Sequence, residues 1–147
     1  MEKTKSINFD PVKYNVLKEI SVRGVKVNGS LSPYDIPRQA KVSYDELSKV
    51  FKIHFVYLTP DEPKSEKRAS PDIALFFGQS SGKLYDIHVH KQDQANLLDI
   101  KIQLVAKIGD LADESEKSTP PNYIKELNLL VAKKFLEENT ELFIVAA

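Results

Sequence analysis

Residues 72–90 constrain the fold of this chain more than any other stretch. The run at 72–77 is almost entirely apolar, the run at 83–90 alternates apolar and polar side chains, and the loop between them holds two glycines and two serines. Two such runs around a glycine-containing loop predict a β-hairpin. Because side chains alternate along a strand, the second run has a core face and an opposite face. The core face comprises Tyr85, Ile87 and Val89, and the opposite face Asp86, His88 and His90.

Residues 48–58 give the clearest further strand. Their aromatic and β-branched positions alternate with polar ones, which predicts that one side faces the core and that His54 lies on the other. Residues 21–27 predict a strand that ends in a turn at Asn28-Gly29, since that dipeptide suits a type I′ turn. The core-facing positions of the 48–58 strand are Phe51, Ile53, Phe55 and Tyr57.

Two segments in the N-terminal half and the middle of the chain contain prolines that indicate their local structure. Asp10-Pro11 is typical of a helix start and predicts a helix over 10–20, although alternation of Val12, Tyr14 and Val16 leaves a strand open. Residues 59–71 hold three prolines and many charges, which predicts an exposed, mobile loop.

The C-terminal half predicts two helices, at 96–112 and 123–138. Apolar residues recur at helical spacing in both, at Leu97, Ile100, Leu104, Val105, Ile108 and Leu111, and at Tyr123, Ile124, Leu127, Leu130, Val131 and Phe135. Residues 97–105 would also alternate as a strand, but the pattern continues too far for one. The apolar tail at 142–145 predicts either a last strand or a segment docked on a second copy.

Together these elements predict one α+β domain over residues 1–147. It would have an antiparallel sheet of about four strands, covered on one face by the two C-terminal helices. The layout of strands followed by two helices resembles that of oligomeric binding modules such as SecB-like chaperones. No diagnostic motif of those proteins is present, and a shared layout does not assign a function.

Composition narrows the classes of function. Cysteine is absent, which excludes disulfides, thiolate nucleophiles and cysteine-ligated metals. The formal net charge is +0, with 21 basic and 21 acidic residues, so no nucleic-acid partner is expected. No apolar run is long enough to cross a membrane, and the charged start leads into no signal peptide, so a cytoplasmic location is expected.

The sharpest chemical signal is the face formed by Asp86, His88 and His90. Alternate residues on one strand project the same way, so both imidazoles could bind one transition metal such as zinc, with Asp86 as a third ligand. His54 is a further candidate ligand, but if the 72–77 strand lies between the 48–58 and 83–90 strands, it is roughly 9–10 Å away and shared ligation is hard. Asp86 or a loop carboxylate such as Asp93 is then favoured as the third ligand. The simpler interpretation is a solvated sheet face.

The sequence therefore leaves two candidate functions. The first is a small non-enzymatic accessory domain that works by protein contacts and self-associates, since apolar helix surface is plentiful and catalytic groups are few. Such a domain needs no cofactor. The second is a metal-binding protein or metal-dependent hydrolase that uses Asp86, His88 and His90.

Overall fold

The computed structural model describes residues 2–8, 20–27, 34–91, 97–118 and 123–139. It shows an α+β fold with a large antiparallel sheet and two C-terminal helices on one face, as predicted. Within the described residues the main sheet has six strands rather than about four. The elements are β1 (Glu2–Asn8), β2 (Ile20–Val22), β3 (Val25–Val27), β4 (Gln39–Asp45), β5 (Val50–Val56), β6 (Lys64–Ser70), β7 (Ile73–Gly78), β8 (Leu84–Val89), α1 (Leu97–Glu116) and α2 (Tyr123–Glu138).

The main sheet consists of two three-stranded units. Its order is β1-β4-β5-β8-β7-β6, so the units β1-β4-β5 and β8-β7-β6 meet along one seam between β5 and β8. The 72–90 hairpin is confirmed, but its second strand, and not its first, lies beside β5. The sheet order assumed from the sequence is therefore wrong. Hairpin signals do not say which of the two strands extends the sheet.

The predicted inward and outward faces of β5 and β8 are confirmed. Phe51, Ile53 and Ile87 are fully buried, while His54 and Asp86 on the alternate positions stay partly exposed. Each fully buried large apolar side chain contributes roughly 1.5–3 kcal/mol to folding. The seam between the two units thus lies over the centre of the core.

A β-bulge breaks the alternation at the start of β8. The register of β7 and β8 pairs Phe76 with Asp86 but Phe77 with Leu84, which leaves Tyr85 as the inserted residue. An inserted residue lets two neighbours share one side of a strand. Leu84 and Tyr85 are accordingly both buried. Tyr85 then packs edge-on against Tyr57, with ring centres 5.2 Å apart.

Three strands of the main sheet were not predicted from the sequence, namely β1, β4 and β6. The prediction of a mobile loop over 59–71 is wrong, because Lys64–Ser70 pairs with β7 along the edge of the sheet. An edge strand has one free side, and charges on it discourage pairing with other chains. Strand β4, which begins at Gln39, was likewise not predicted.

The strand predicted over residues 21–27 is divided by a turn, and the turn predicted at Asn28-Gly29 lies outside the described residues. Strands β2 and β3 form a small hairpin of their own, joined by Arg23 and Gly24, which both have positive φ (52° and 79°). Two positive φ values in a two-residue loop are those of a type I′ turn. The predicted helix at 10–20 and the apolar tail at 142–145 lie outside the described residues, except that Ile20 begins β2.

Both predicted helices are confirmed, including the choice of helix over strand at 97–105. On α1 the buried residues follow helical spacing, at Ile100, Leu104, Ile108 and Leu111. On α2 the buried face is rotated from the expected stripe. Leu129 and Leu136 are fully buried, whereas Tyr123 is exposed and Leu127 is only partly covered. One apolar flank of α2 therefore remains open.

Asn128 fastens α2 to the sheet. Its side-chain Nδ2 donates to the carbonyls of Asp35 (3.0 Å) and Ile124 (3.1 Å), and its Oδ1 accepts from the backbone N–H of Leu84 (3.2 Å). The hydroxyl of Tyr57 contacts the same Oδ1. A buried amide with every group paired fixes the position of the elements that it joins.

Arg23 connects the β2–β3 hairpin to both helices. Its Nη2 donates to the carbonyl of Ser115 at 3.1 Å, and its Nη1 donates to the carbonyl of Glu116, both at the end of α1. Its Nε lies 3.1 Å from the buried carboxylate of Glu126 on α2, and its guanidinium covers the ring of Tyr123. A cation at a helix C-terminus satisfies carbonyls that have no partner within the helix.

Candidate functional site on the open face of the sheet

Two of the three histidines of the chain, His54 on β5 and His88 on the neighbouring β8, lie on the sheet face opposite the helices, and His90 directly follows the end of β8. His54 is directly across from Asp86 in the register, and its Nδ1 lies 2.7 Å from Asp86 Oδ1. The expected separation of about 9–10 Å between His54 and this group was wrong, because it placed the wrong hairpin strand beside β5. The structure thus brings His54 to Asp86.

The second pair on this face is His88 and His90. Their ring centres lie 6.1 Å apart, with the rings nearly perpendicular, and the His88 ring also contacts Phe76 at 4.7 Å. Burial lowers the pKa of His88 below its ordinary value of 6.5, and the facing Lys52 and neighbouring His90 lower it further. Asp86 acts in the opposite direction but does not outweigh them. His88 is therefore predominantly neutral near pH 7.

These two pairs have different chemical capacities. A histidine whose Nδ1 is bonded to a carboxylate has a fixed ring orientation, which leaves Nε2 as the outward-facing nitrogen of His54. Neutral imidazoles such as His88 are the form that binds a metal. Across the described parts of the chain, however, no three His, Asp or Glu side chains form a group that could hold a metal ion.

A second surface with binding capacity lies on the flank of α2. A groove of about 390 Å³ runs between the β2–β3 hairpin and the start of α2. Val25 is 69% exposed and Tyr123 is 57% exposed at its rim, so two exposed apolar side chains lie beside one groove. The sequence pattern did include Tyr123, but as a core position. The groove is lined by Val22, Arg23, Val25, Tyr123, Ile124 and Leu127.

Comparison with known proteins identifies no relative of this chain. No protein-family model matches this chain, and neither a curated protein nor a solved structure matches it. The helices within the described ranges are too short or too polar to cross a membrane. Proposals about function consequently rest on the two surfaces just described.

Proposed function

We propose that this protein is a non-enzymatic interaction domain that associates with a second copy of itself through the groove on α2. The observation that carries this proposal is the exposed apolar rim of the groove, where Val25 and Tyr123 face solvent beside a partly covered Leu127. Burying such side chains against a partner removes apolar surface from water, at about 25 cal/mol per Å². Adjacent apolar groups of this kind favour association.

Self-association is preferred over a different partner because the surface is complementary to itself. The projecting side chains of Val25 and Tyr123 stand beside the groove that could receive them. Two copies related by a twofold axis could therefore each insert a projecting group into the other. The formal net charge of +0 adds no long-range repulsion between copies.

Sedimentation velocity or light scattering at high micromolar concentration tests this proposal. The expected species is a dimer, which Val25→Lys converts to a monomer because a charge would be placed in the apolar contact. Leu47→Lys and Ile102→Lys are matched controls, since these side chains are 88% and 71% exposed but do not line the groove. A monomeric wild-type protein, or equal effects of all three substitutions, contradicts the proposal.

A second candidate is a metal-binding protein that uses Asp86, His88 and His90, whose side chains would have to move closer together to bind one ion, since no three described His, Asp or Glu side chains form such a group here. The adjacent His88 and His90 rings favour it, since imidazoles on alternate strand positions can approach one metal ion. Asp86 would ligate while bonded to His54, an arrangement that supports many metal sites. Zinc is the ion of first choice, because it accepts nitrogen and carboxylate ligands.

A further inference from the structure

The loop between β7 and β8 surrounds a carboxylate with four hydrogen-bond donors. Glu62 Oε1 accepts from the backbone N–H groups of Ser80 (2.9 Å) and Ser81 (3.0 Å). Glu62 Oε2 accepts from the hydroxyls of Ser81 and Tyr85, both at 2.8 Å. Successive backbone N–H groups that point to one place form a concave site for anions. Hydrogen bonds to an ionised acceptor are also the stronger kind.

The donors belong to the hairpin, whereas Glu62 belongs to the separate connection between β5 and β6. The loop holds its own shape, because Gly78 N–H donates to the Lys83 carbonyl (2.8 Å) and Gly82 N–H donates to the Gly78 carbonyl (2.9 Å). Lys83 N–H further donates to Ser81 Oγ at 3.1 Å. None of these three bonds involves Glu62, so the donors are positioned independently of the carboxylate that they hold.

Gly78 leaves the space in which the carboxylate sits. A Cβ at this position would lie 2.4 Å from both Cδ and Oε1 of Glu62, closer than atoms in contact can approach. Any larger residue there would displace the carboxylate. Glycine is suited to places where another group must approach the backbone closely.

The electrostatics agree with a site shaped for an anion. Burial by itself would raise the pKa of Glu62, but the hydrogen bonds from Ser81, Tyr85 and Ser80 outweigh it and lower the pKa to about 2. Burial and the facing carboxylate raise the pKa of Tyr85 to about 12, which keeps its hydroxyl available as a donor. The ammonium of Lys64 lies 4.7 Å from the centre of the Tyr85 ring.

We propose that Ser80, Ser81 and Tyr85 form a binding site for a carboxylate group, which Glu62 occupies from within the same chain. The occupied site holds the start of β6, two residues further on, against the sheet. Among the described strands β6 pairs with β7 alone and carries exposed charges. Its start is also bonded to the loop by Gln79, whose N–H donates to the Pro63 carbonyl at 2.9 Å. The ligand class is a small carboxylate, such as formate or acetate, when Glu62 is removed.

Chemical rescue of Glu62→Ala tests this site. The variant is expected to melt about 5 °C below the wild type, since it loses hydrogen bonds but no core packing. Sodium formate should restore the melting temperature in a saturable way and shift the Ser80 and Ser81 amide resonances. Sodium chloride at equal ionic strength should do neither. Hydrogen exchange of the β6 amides should accelerate in the variant and slow again with formate.

Further variants distinguish a binding site from a merely structural contact. Adding Ser81→Ala to Glu62→Ala should abolish rescue by formate, because one hydroxyl donor is lost. Asp61→Ala is the matched control from the same loop; its side chain is 77% exposed and bonds only Lys64 in this region, so formate should not affect that variant. If Glu62→Ala does not fold, Glu62→Ser empties the same space, whereas Gly78→Ala fills it with its own Cβ and should not respond to formate. A lack of saturable response to formate in the folded Glu62 variants overturns the proposal.

Discussion

The guanidinium of Arg23 lies 3.1 Å from the carboxylate of Glu126, which is almost fully buried, with a side-chain exposure of 3%. The pair connects a two-residue turn to the first turn of α2, a helix that is far away in the sequence. Removal of one partner leaves the other charge buried without compensation, which costs more than the pair itself contributes.

Arg23→Met is therefore expected to reduce the free energy of unfolding by about 2–3 kcal/mol, somewhat less than for a fully buried pair because Arg23 is 22% exposed. The double variant Arg23→Met, Glu126→Leu should recover most of this loss, since no unpaired charge remains. Urea denaturation of the wild type, both single variants and the double variant measures the coupling. Additive losses would show that the ion pair does not connect the hairpin to α2.

Asn128→Leu should destabilise the protein by about 2–4 kcal/mol, because the buried Leu84 N–H and Asp35 carbonyl lose their partner. Leucine is close to asparagine in size, so the cost comes from hydrogen bonding and not from a cavity. Asn139→Ala is the comparison, since that amide bonds only the local Phe135 carbonyl at the end of α2 and its loss should cost less than about 1 kcal/mol. Equal losses in the two variants would contradict the role given to Asn128.

The lowered pKa of His88 predicts a pH dependence of stability. Since the folded state favours the neutral ring, this contribution is fully present above the unfolded value of 6.5 and is lost as pH falls through the lower folded pKa. His88→Gln cannot titrate, so its stability should decline less than that of the wild type as the pH is lowered from 6.5. Thermal melts of both proteins across this range give the comparison, and parallel profiles would refute the prediction.

Metal binding has its own test on the open face. If Asp86, His88 and His90 bind zinc, the purified protein should take up one equivalent in calorimetric titration, and the double variant His88→Ala, His90→Ala should take up none. Lys41→Ala, an exposed substitution on β4 across from His54, should bind as the wild type does. A wild-type protein that shows no heat of binding and no change in melting temperature with zinc or nickel rules out this second candidate.

The sequence predicted several parts of the fold where one side of an element is buried and the other is not, although β4, whose buried residues alternate as those of β5 do, was missed. Phe51, Ile53 and Phe55 on β5 are examples, since period-two alternation determines both the strand and its orientation. The sequence did not predict β6, because an edge strand buries little on either side and its residue pattern therefore resembles that of a loop. The Arg23–Gly24 turn was missed because the alternation of apolar and polar residues over 21–27 predicts one continuous strand there.

For the candidate site, orientation was predictable and proximity was not. Alternation along β8 correctly placed Asp86 and His88 on one face, and the ring of His90, which follows the strand, lies 6.1 Å from that of His88. The contact between His54 and Asp86 depends on which strands are neighbours, which local patterns do not encode. The Glu62 site is harder still to predict from the sequence, because its donors are backbone groups and hydroxyls that only the folded loop brings together.

The single seam in the main sheet has a consequence for the order of folding. Strands β6, β7 and β8 can pair with one another as soon as they leave the ribosome, because each follows its neighbour along the chain. Strand β5 must wait for β8, since the two strands between them join the far side of β8. Pairing of β5 with β8 brings together residues that are far apart in the sequence, and contacts of this kind form slowly. A nascent chain that has emerged only through β7 would thus still expose one unpaired edge of β5.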